Sequence, residues 1–429
     1  MANQNIFCNV PWTNLHIYWD GTFGACCSER HAPHNDPKVY NLHNMTVTEW
    51  YSSEPMVQLR DQIKSNNQLS QCSSCYLEES NGHESRRIKE NFKSVIFTKQ
   101  AFDRSYLQSP MYKDFEAPAI DRLPIDWHID LGNECNLACK MCNPQASSKI
   151  SSIYTKWKII DQSANSNWTA DLVAWQNFLD GIVSVPKLNR MHFMGGEPLL
   201  NKRFIELLDF LIEQKRTNIS ISFVTNGTIV NQKLLDRLMQ FRSCDIEFSL
   251  ESISKNNHYI RQASDTIEVQ SNIQKIMQLQ SDKFHVVLRS VPQLLNVNNY
   301  DQYILWAWEN KLPIQSIPLT RPAYLQISVL PYDLRQSFLS RYEKVLQVIP
   351  VPDIKSIATG RNIGTLNSTL RRECAGIISM LKAPEPSNVL ELRKELSTWL
   401  MRWDQEFKLN AYDFYPEYQE FLNDIQYKI

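Results

Sequence analysis

Glycine is scarce in this chain, with 11 in 429 residues against a usual share of about 7%. Those that sit inside motifs therefore carry weight. No apolar run reaches the roughly 18 residues that a membrane-spanning helix needs. The start, Met1 to Asn5, is polar, and Phe7-Cys8-Asn9 interrupts any apolar stretch, so neither a signal peptide nor a membrane partner is expected and the expected location is cytoplasmic. Charge of one sign is also missing: 45 basic residues face 46 acidic ones, which gives no global pull toward nucleic acid or an anionic surface. With no basic RNA-binding module or aromatic stacking signature, nucleic acid is not an expected partner. What remains is a length that allows two or three domains and ten cysteines, which in a reducing compartment are metal ligands or free thiols rather than disulfides.

Cys135, Cys139 and Cys142 stand in the spacing CxxxCxxC directly after the strand-like run Ile125 to Leu131. The segment reads as too short to be anything but a loop. A tetrahedral structural zinc needs a fourth ligand nearby, and none follows Cys142. A cubane iron-sulfur cluster on three cysteines instead keeps one iron open, as a catalytic centre requires. Farther along, Met191-His192-Phe193-Met194 runs into Gly195, Gly196, Glu197 and Pro198. There the two glycines let backbone approach a ligand closely, Glu197 offers acceptors to an ammonium group, and Pro198 starts a helix reaching Gln214.

The cysteine spacing and the GGEP stretch together resemble the radical S-adenosylmethionine (radical SAM) superfamily. The resemblance implies a [4Fe-4S] cluster on Cys135, Cys139 and Cys142, with S-adenosylmethionine (SAM) chelating its open iron beside Gly195, Gly196, Glu197 and Pro198.

Nearer the N-terminus, the alternating Leu15-His16-Ile17-Tyr18-Trp19, the Asp20-Gly21 turn and Thr22-Phe23-Gly24-Ala25 predict a β-hairpin with Cys8 at its start and Cys26 near its end. A helix over Thr48 to Lys64, burying Trp50, Met56, Leu59 and Ile63, leads to Cys72-Ser73-Ser74-Cys75. Cys8, Cys26, Cys72 and Cys75 amount to four ligands, enough to close a site. The spacing from Cys8 through Gly21 to Cys26, followed by a CxxC pair, resembles the twitch domain, the half-size relative of the SPASM domain. That resemblance implies an auxiliary [4Fe-4S] cluster, here placed before the barrel where many relatives carry it after. Spacing favours Cys26 over its neighbour Cys27 as ligand. A zinc-stabilised hairpin is the alternative for this region, since four-cysteine sites suit both metals.

Beyond a proline-punctuated connector over 81–123, including a helix from Glu84 to Phe97, the pattern turns regular. Candidate strands Ile125 to Leu131, Arg190 to Met194, Ile219 to Val224, Ile246 to Leu250, Phe284 to Ser290 and Ile314 to Leu319 alternate with helix-length sequence. This predicts an α/β fold of parallel strands with right-handed crossovers. Six units make an incomplete TIM barrel, and the resemblance implies the open (β/α)6 form, with ligands at the C-terminal strand ends. The expected domains are 1–80 (auxiliary cluster), 81–123 (connector), 124–320 (barrel) and 321–429, a helical C-terminal extension with helices at Leu334 to Val348, Thr369 to Leu381 and Val389 to Phe407.

By the same resemblance, Asn226 in Thr225-Asn226-Gly227, Ser249 at the fourth strand end, Arg261 in Tyr259-Ile260-Arg261 and Arg289 at the fifth strand end are SAM contacts. Ser249 suits a ribose or carboxylate and Arg261 the methionyl carboxylate, with Asn296 a weaker candidate. Glu251 and Ser252 stand where relatives carry aspartate and glycine. Each of these polar residues has an alternative role as a helix cap or turn brace. Cys244 and Cys374 read as buried thiols.

The resemblance implies an enzyme that reductively cleaves SAM to a 5'-deoxyadenosyl radical and abstracts hydrogen from a substrate, with an electron donor such as flavodoxin or ferredoxin. Kinship to SPASM proteins implies oxidative modification or cross-linking of a peptide or protein. A small-molecule dehydrogenase or mutase is the second reading, and a non-catalytic iron-sulfur or zinc protein the third.

Overall fold

The computed structural model describes residues 7–27, 36–80, 85–97, 123–163, 167–279, 281–317, 319–351 and 363–428. Most of the expected connector, and the start of its helix at Glu84, lie outside the described residues. Strands there are β1 (Asn14–Ile17), β2 (Phe23–Gly24), β3 (Asp126–Asp130), β4 (Ala138–Cys139), β5 (Arg190–Met194), β6 (Ser220–Thr225), β7 (Ser243–Ser249), β8 (Arg261–Gln262), β9 (Phe284–Ser290) and β10 (Ile314–Ser316). The chain forms two compact units. One holds Met1–Glu134, Ala164–Ser222 and Gln240–Arg242, the other Cys135–Ser163, Phe223–Met239 and Ser243–Ile429. The division passes through β6, between Ser222 and Phe223.

In the first unit the hairpin forms around Gly21, whose φ of +82° suits glycine and whose N–H donates to the Tyr18 carbonyl at 2.8 Å. β1 pairs antiparallel with β2 and parallel with β3, and β3 pairs parallel with β5. All four residues of β1 are buried, so the alternation in its sequence does not make a half-exposed ribbon: both faces are covered. In β3, Trp127 and Ile129 are buried, and Trp127 meets Phe178 of the helix Leu172–Ser184 with ring centroids 5.9 Å apart. The opposite face carries His16, His128 and His192 in register across three strands. Thr48 to Lys64 is not one helix. It divides into Val47–Tyr51 and Glu54–Lys64, because the backbone turns extended at Ser53 and Pro55 occupies the first turn of a new helix. In the same way the helix expected from Pro198 is a single turn, Pro198–Leu200, followed by Lys202–Glu213 with Asn201 as its N-cap.

In the second unit β7, β9 and β10 form a parallel ladder. The α/β architecture with mostly parallel strands is that of an open barrel. Helices Tyr332–Val348, Ile363–Lys382 and Val389–Phe407 make the helical C-terminal region. The first two are tied by Arg371 Nη1, donating to the Ile349 carbonyl at 2.5 Å, and by Cys374 Sγ to the Tyr342 carbonyl at 3.2 Å. Cys244 and Cys374 are both buried. Among the described residues no helix is long and apolar enough to cross a membrane.

Candidate metal centres

The cysteine segment of the second unit is more than a loop. Its middle forms β4, which pairs antiparallel with β8 and sets Cys139 opposite Arg261. The ladder continues as the Lys140 N–H donates to the Ile260 carbonyl at 2.9 Å. The ends are held too: Cys135 N–H donates to Ser148 Oγ at 3.2 Å, and Cys142 N–H to the Cys139 carbonyl at 3.0 Å. Asn136, between the first two cysteines, accepts from Asn226 Nδ2 at 2.8 Å and donates to Thr228 Oγ1 at 3.0 Å. Asn226 is therefore a brace of the cysteine segment.

Sequence reasoning passed over Lys140. Its ammonium is buried, donates to the Tyr259 carbonyl at 2.6 Å and lies 3.7 Å above the Tyr259 ring. Burial pulls its pKa down to about 7 against the pull of Asp404 and Cys139. Tyr259 in turn donates to Asp404 at 3.0 Å, and Trp403 packs with Ala138, Ile150 and Ile153. The C-terminal helix Val389–Phe407 thus buttresses the cysteine segment. A lysine between two ligand-spaced cysteines, followed far downstream by Trp-Asp, was the available signal, but nothing in one sequence connects them.

Glu251 is the second residue whose part was not foreseen. It is wholly buried and accepts from Arg261 Nε at 3.1 Å, Arg261 Nη2 at 2.7 Å, the Val291 N–H at 2.8 Å and Asn296 Nδ2 at 3.3 Å. Asn296 is accordingly a partner of Glu251. Arg261 Nη1 also reaches Cys139 Sγ, at 3.6 Å. Arg289, opposite Ser249 in the β7–β9 ladder, is ion-paired with Glu247.

The GGEP stretch belongs to the first unit. Its glycines accommodate the segment leading into the cysteines. A Cβ on Gly195, whose φ is +109°, would lie 2.4 Å from the Gly132 carbonyl oxygen, and one on Gly196 would lie 2.0 Å from that of Glu134. Gly196 and Glu197 donate their N–H groups to those same oxygens, at 3.1 and 2.7 Å. The close approach expected of a ligand is made here by backbone. Glu197 is buried, and its carboxylate accepts from the Leu199 N–H at 3.2 Å. Pro198 is buried beside it.

The auxiliary cysteines lie in the same unit. Cys8 is followed by a short helix, Val10–Thr13, while Cys72 ends a single turn, Ser70–Cys72, and Cys75 lies in the helix Ser73–Ser80. Burial pushes the Cys8 thiol up to about 12, with the charges of Cys72 and Cys75 adding to the rise. The helix Arg86–Phe97, read as connector, clamps this site. Arg87 Nη1 and Asn91 Nδ2 both donate to the Phe7 carbonyl at 2.9 Å, and Asn91 Oδ1 accepts from the Asn9 N–H at 2.8 Å. Arg86 Nη1 reaches Sγ of the exposed Cys27 at 3.1 Å. Burial opposes the Arg86 charge, and thiolate charge on Cys27 and Cys26 more than offsets it. Cys26 is anchored through its carbonyl, which accepts from Tyr18 Oη at 2.6 Å.

All ten cysteines are free thiols, and among the described residues no three Cys, His, Asp or Glu side chains gather tightly enough for a single ion. The donor chemistry fits an iron-sulfur cluster. Cys135, Cys139 and Cys142 are soft ligands; burial and mutual charge raise Cys142 to about 12, a cost removed when a metal deprotonates the thiol outright. Two cations, Arg261 and Lys140, offset thiolate charge at Cys139.

A family profile described as the radical SAM superfamily matches residues 129–295, and one described as an iron-sulfur cluster-binding domain, SPASM, matches residues 8–76. Residues 129–295 are thus a radical SAM domain and residues 8–76 a SPASM domain. The radical SAM domain implies a [4Fe-4S] cluster and SAM, and the SPASM domain, at the N-terminus rather than in the usual C-terminal place, implies auxiliary iron-sulfur binding. The radical SAM cyclopropyl synthase TigE of Paramaledivibacter caminithermalis is 28% identical over 193 residues, 42% of this chain and 39% of that protein. The PqqA peptide cyclase of Granulibacter bethesdensis is 25% identical over 135 residues, 31% of each. The matches span less than two fifths of these curated relatives. SuiB of Streptococcus suis, solved with SAM bound, aligns with a TM-score of 0.34 and 15% identity over 65% of this chain and 58% of that one.

Proposed function

We propose that this chain is a radical SAM enzyme acting on a peptide or protein, with an oxidative modification or cross-link as the product. The observation that carries the reading is the Cys135–Cys139–Cys142 segment, three thiols on one braced strand and turn with no fourth cysteine close by in the sequence. Bound there, a reduced cluster and SAM supply a 5'-deoxyadenosyl radical for hydrogen abstraction.

The chain's own residues fix and shield that chemistry. Cys135, Cys139 and Cys142 would hold the cluster. Gly195, Gly196, Glu197 and Pro198 present backbone and carboxylate acceptors to the SAM ammonium, while Asn226, Ser249, Arg261 and Arg289 line the remaining strand ends of the second unit. Cys8, Cys26, Cys72 and Cys75 would hold an auxiliary cluster, which would supply electron-transfer chemistry. The first unit's polar strand face, with His128 and His192 rings 5.0 Å apart and His192 Nδ1 2.8 Å from Ser222 Oγ, offers hydrogen-bonding groups to a substrate. The peptide reading is supported by a relative named as a peptide cyclase. Flavodoxin or ferredoxin is the proposed electron donor, and the division into 1–80, 81–123, 124–320 and 321–429 is proposed on the motifs.

Anaerobic reconstitution of the wild-type chain and a Cys135/Cys139/Cys142 triple alanine variant, with iron counted and 5'-deoxyadenosine assayed after dithionite and SAM, tests the reading. About eight irons in wild type and about four in the variant are expected, with 5'-deoxyadenosine from wild type alone. Zinc in place of iron, or intact SAM, overturns it.

A further inference from the structure

We propose that Arg261 sets how readily the cluster on Cys135, Cys139 and Cys142 accepts its electron, by donating an N–H···S hydrogen bond to the Cys139 sulfur, and that Glu251 is the positioning residue that aims it. The proposal rests on the function proposed above and assigns Arg261 a role that its motif position does not.

The geometry is built from the backbone outward. The β4–β8 ladder places Arg261 directly across from Cys139, so the guanidinium starts beside the sulfur before any side-chain choice is made. The side-on edge of the guanidinium, Nε and Nη2, is taken by one carboxylate oxygen of Glu251 at 3.1 and 2.7 Å. That leaves Nη1 turned to Cys139 Sγ at 3.6 Å, within the longer range of hydrogen bonds to sulfur. Glu251 cannot drift, because its other oxygen accepts from the Val291 N–H at 2.8 Å and Asn296 Nδ2 at 3.3 Å. The Arg261 side chain is 12% exposed and that of Glu251 0%, so water screens the arrangement little. Cys142 as well as Cys139 lies within reach of the Arg261 charge.

Hydrogen bonds to the sulfurs, net charge and solvent exposure set cluster potentials. Adding one electron to the cluster adds one negative charge, and a fixed cation and N–H donor at a ligand sulfur favour that reduced state. The Glu251 side chain is long enough for its carboxylate to reach both the guanidinium and the Val291 N–H. Glu251 and the arginine ten residues later thus form one device.

The test is an EPR-monitored redox titration of the reconstituted full-length chain, following the reduced-cluster signal that SAM perturbs, with iron counted and SAM affinity measured on the same samples. Arg261→Gln is expected to keep its iron and to shift the midpoint negative, raising the oxidised-to-reduced ratio at fixed potential about tenfold, which is about 59 mV for one electron. Arg261→Lys keeps the charge without the fork and shifts less. Glu251→Asp, which keeps the carboxylate and shortens its reach, shifts in the same direction by less than Arg261→Gln. A wild-type midpoint in Arg261→Gln overturns the proposal, and combined with weakened SAM binding it returns Arg261 to the methionyl carboxylate. Should Arg261→Gln fail to hold iron, Arg261→Lys decides: a shifted midpoint supports the proposal and an unshifted one overturns it. A wild-type chain that takes up no iron overturns both this proposal and the function it rests on.

Discussion

The two cysteine sites of this chain are held in different ways. Cys135, Cys139 and Cys142 sit on a strand and turn fixed by a ladder, by Asn136 and Asn226, and by a buried lysine roofed with Tyr259. The sulfur side carries an arginine that is itself clamped by a buried carboxylate. Cys8 precedes a short helix, Cys26 follows the second hairpin strand, Cys72 ends a single turn and Cys75 lies in a short helix, and one helix, Arg86–Phe97, ties Cys8's segment down. The difference is what two electrochemical tasks would require. A centre that must bind a second molecule in one orientation needs its ligands aimed by surrounding structure. A centre that passes an electron needs four thiols and insulation.

The largest effects break the comparison outright. Replacing Cys135, Cys139 and Cys142 with alanine abolishes 5'-deoxyadenosine formation, whereas replacing Cys8, Cys72 and Cys75 removes the auxiliary iron and leaves SAM cleavage measurable; product chromatography and iron counts separate the two. Within the auxiliary site, Cys26→Ser is expected to lose about four irons and Cys27→Ser to keep them, since Cys27 is exposed and engaged by Arg86. Gly196→Ala tests the packing of GGEP against Asn133 and Glu134 within the first unit. An added Cβ 2.0 Å from the Glu134 carbonyl oxygen costs about 3 kcal/mol, read as a lower unfolding midpoint in denaturant.

Two smaller predictions sharpen the contrast through pH and capping. His128 has its pKa lowered well below 6.5 by burial first, then by the charges of Arg86, His192, Arg190 and His16. The unfolded chain therefore binds a proton that the folded chain refuses. Stability from this group is full above pH 6.5 and is lost below it at about 1.4 kcal/mol per pH unit until the folded pKa is reached. His128→Gln should flatten that acid limb in thermal scans. The smallest effect is expected at Thr46, which forms a capping box with Glu49 at the start of Val47–Tyr51. Thr46→Ala should cost about 1 kcal/mol. Glu49, its pKa lowered by hydrogen bonds from Thr46, adds stability that is lost as pH falls below 4.5, so the gap between wild type and Thr46→Ala should narrow in acid.

Much of the scaffold could be read in advance. Strands Arg190–Met194 and Phe284–Ser290 and the helix Val389–Phe407 fall where their patterns place them, because long periodic segments report burial directly. Errors gathered where local chemistry overrides periodicity. Pro55 restarted a helix, Asn201 capped one after a single turn, and three cysteines close together concealed a two-residue strand whose partner lies far along the chain. The site followed the same rule. Spacing within one segment makes the cysteines and GGEP visible, but the partnerships of Lys140 with Tyr259 and Asp404, and of Glu251 with Arg261, depend on residues that only the fold brings together. The helix expected from Glu84 to Phe97 is present as Arg86–Phe97, but its sequence pattern says nothing of which segment it clamps.

The parallel pairing of β1 with β3 also sets a schedule. Asn14–Ile17 leaves the ribosome long before Asp126–Asp130, so β1 must wait with one edge unpaired until β3 is synthesised. A contact closed across that much sequence is slow to form, and an unpaired strand edge is a template for mispairing.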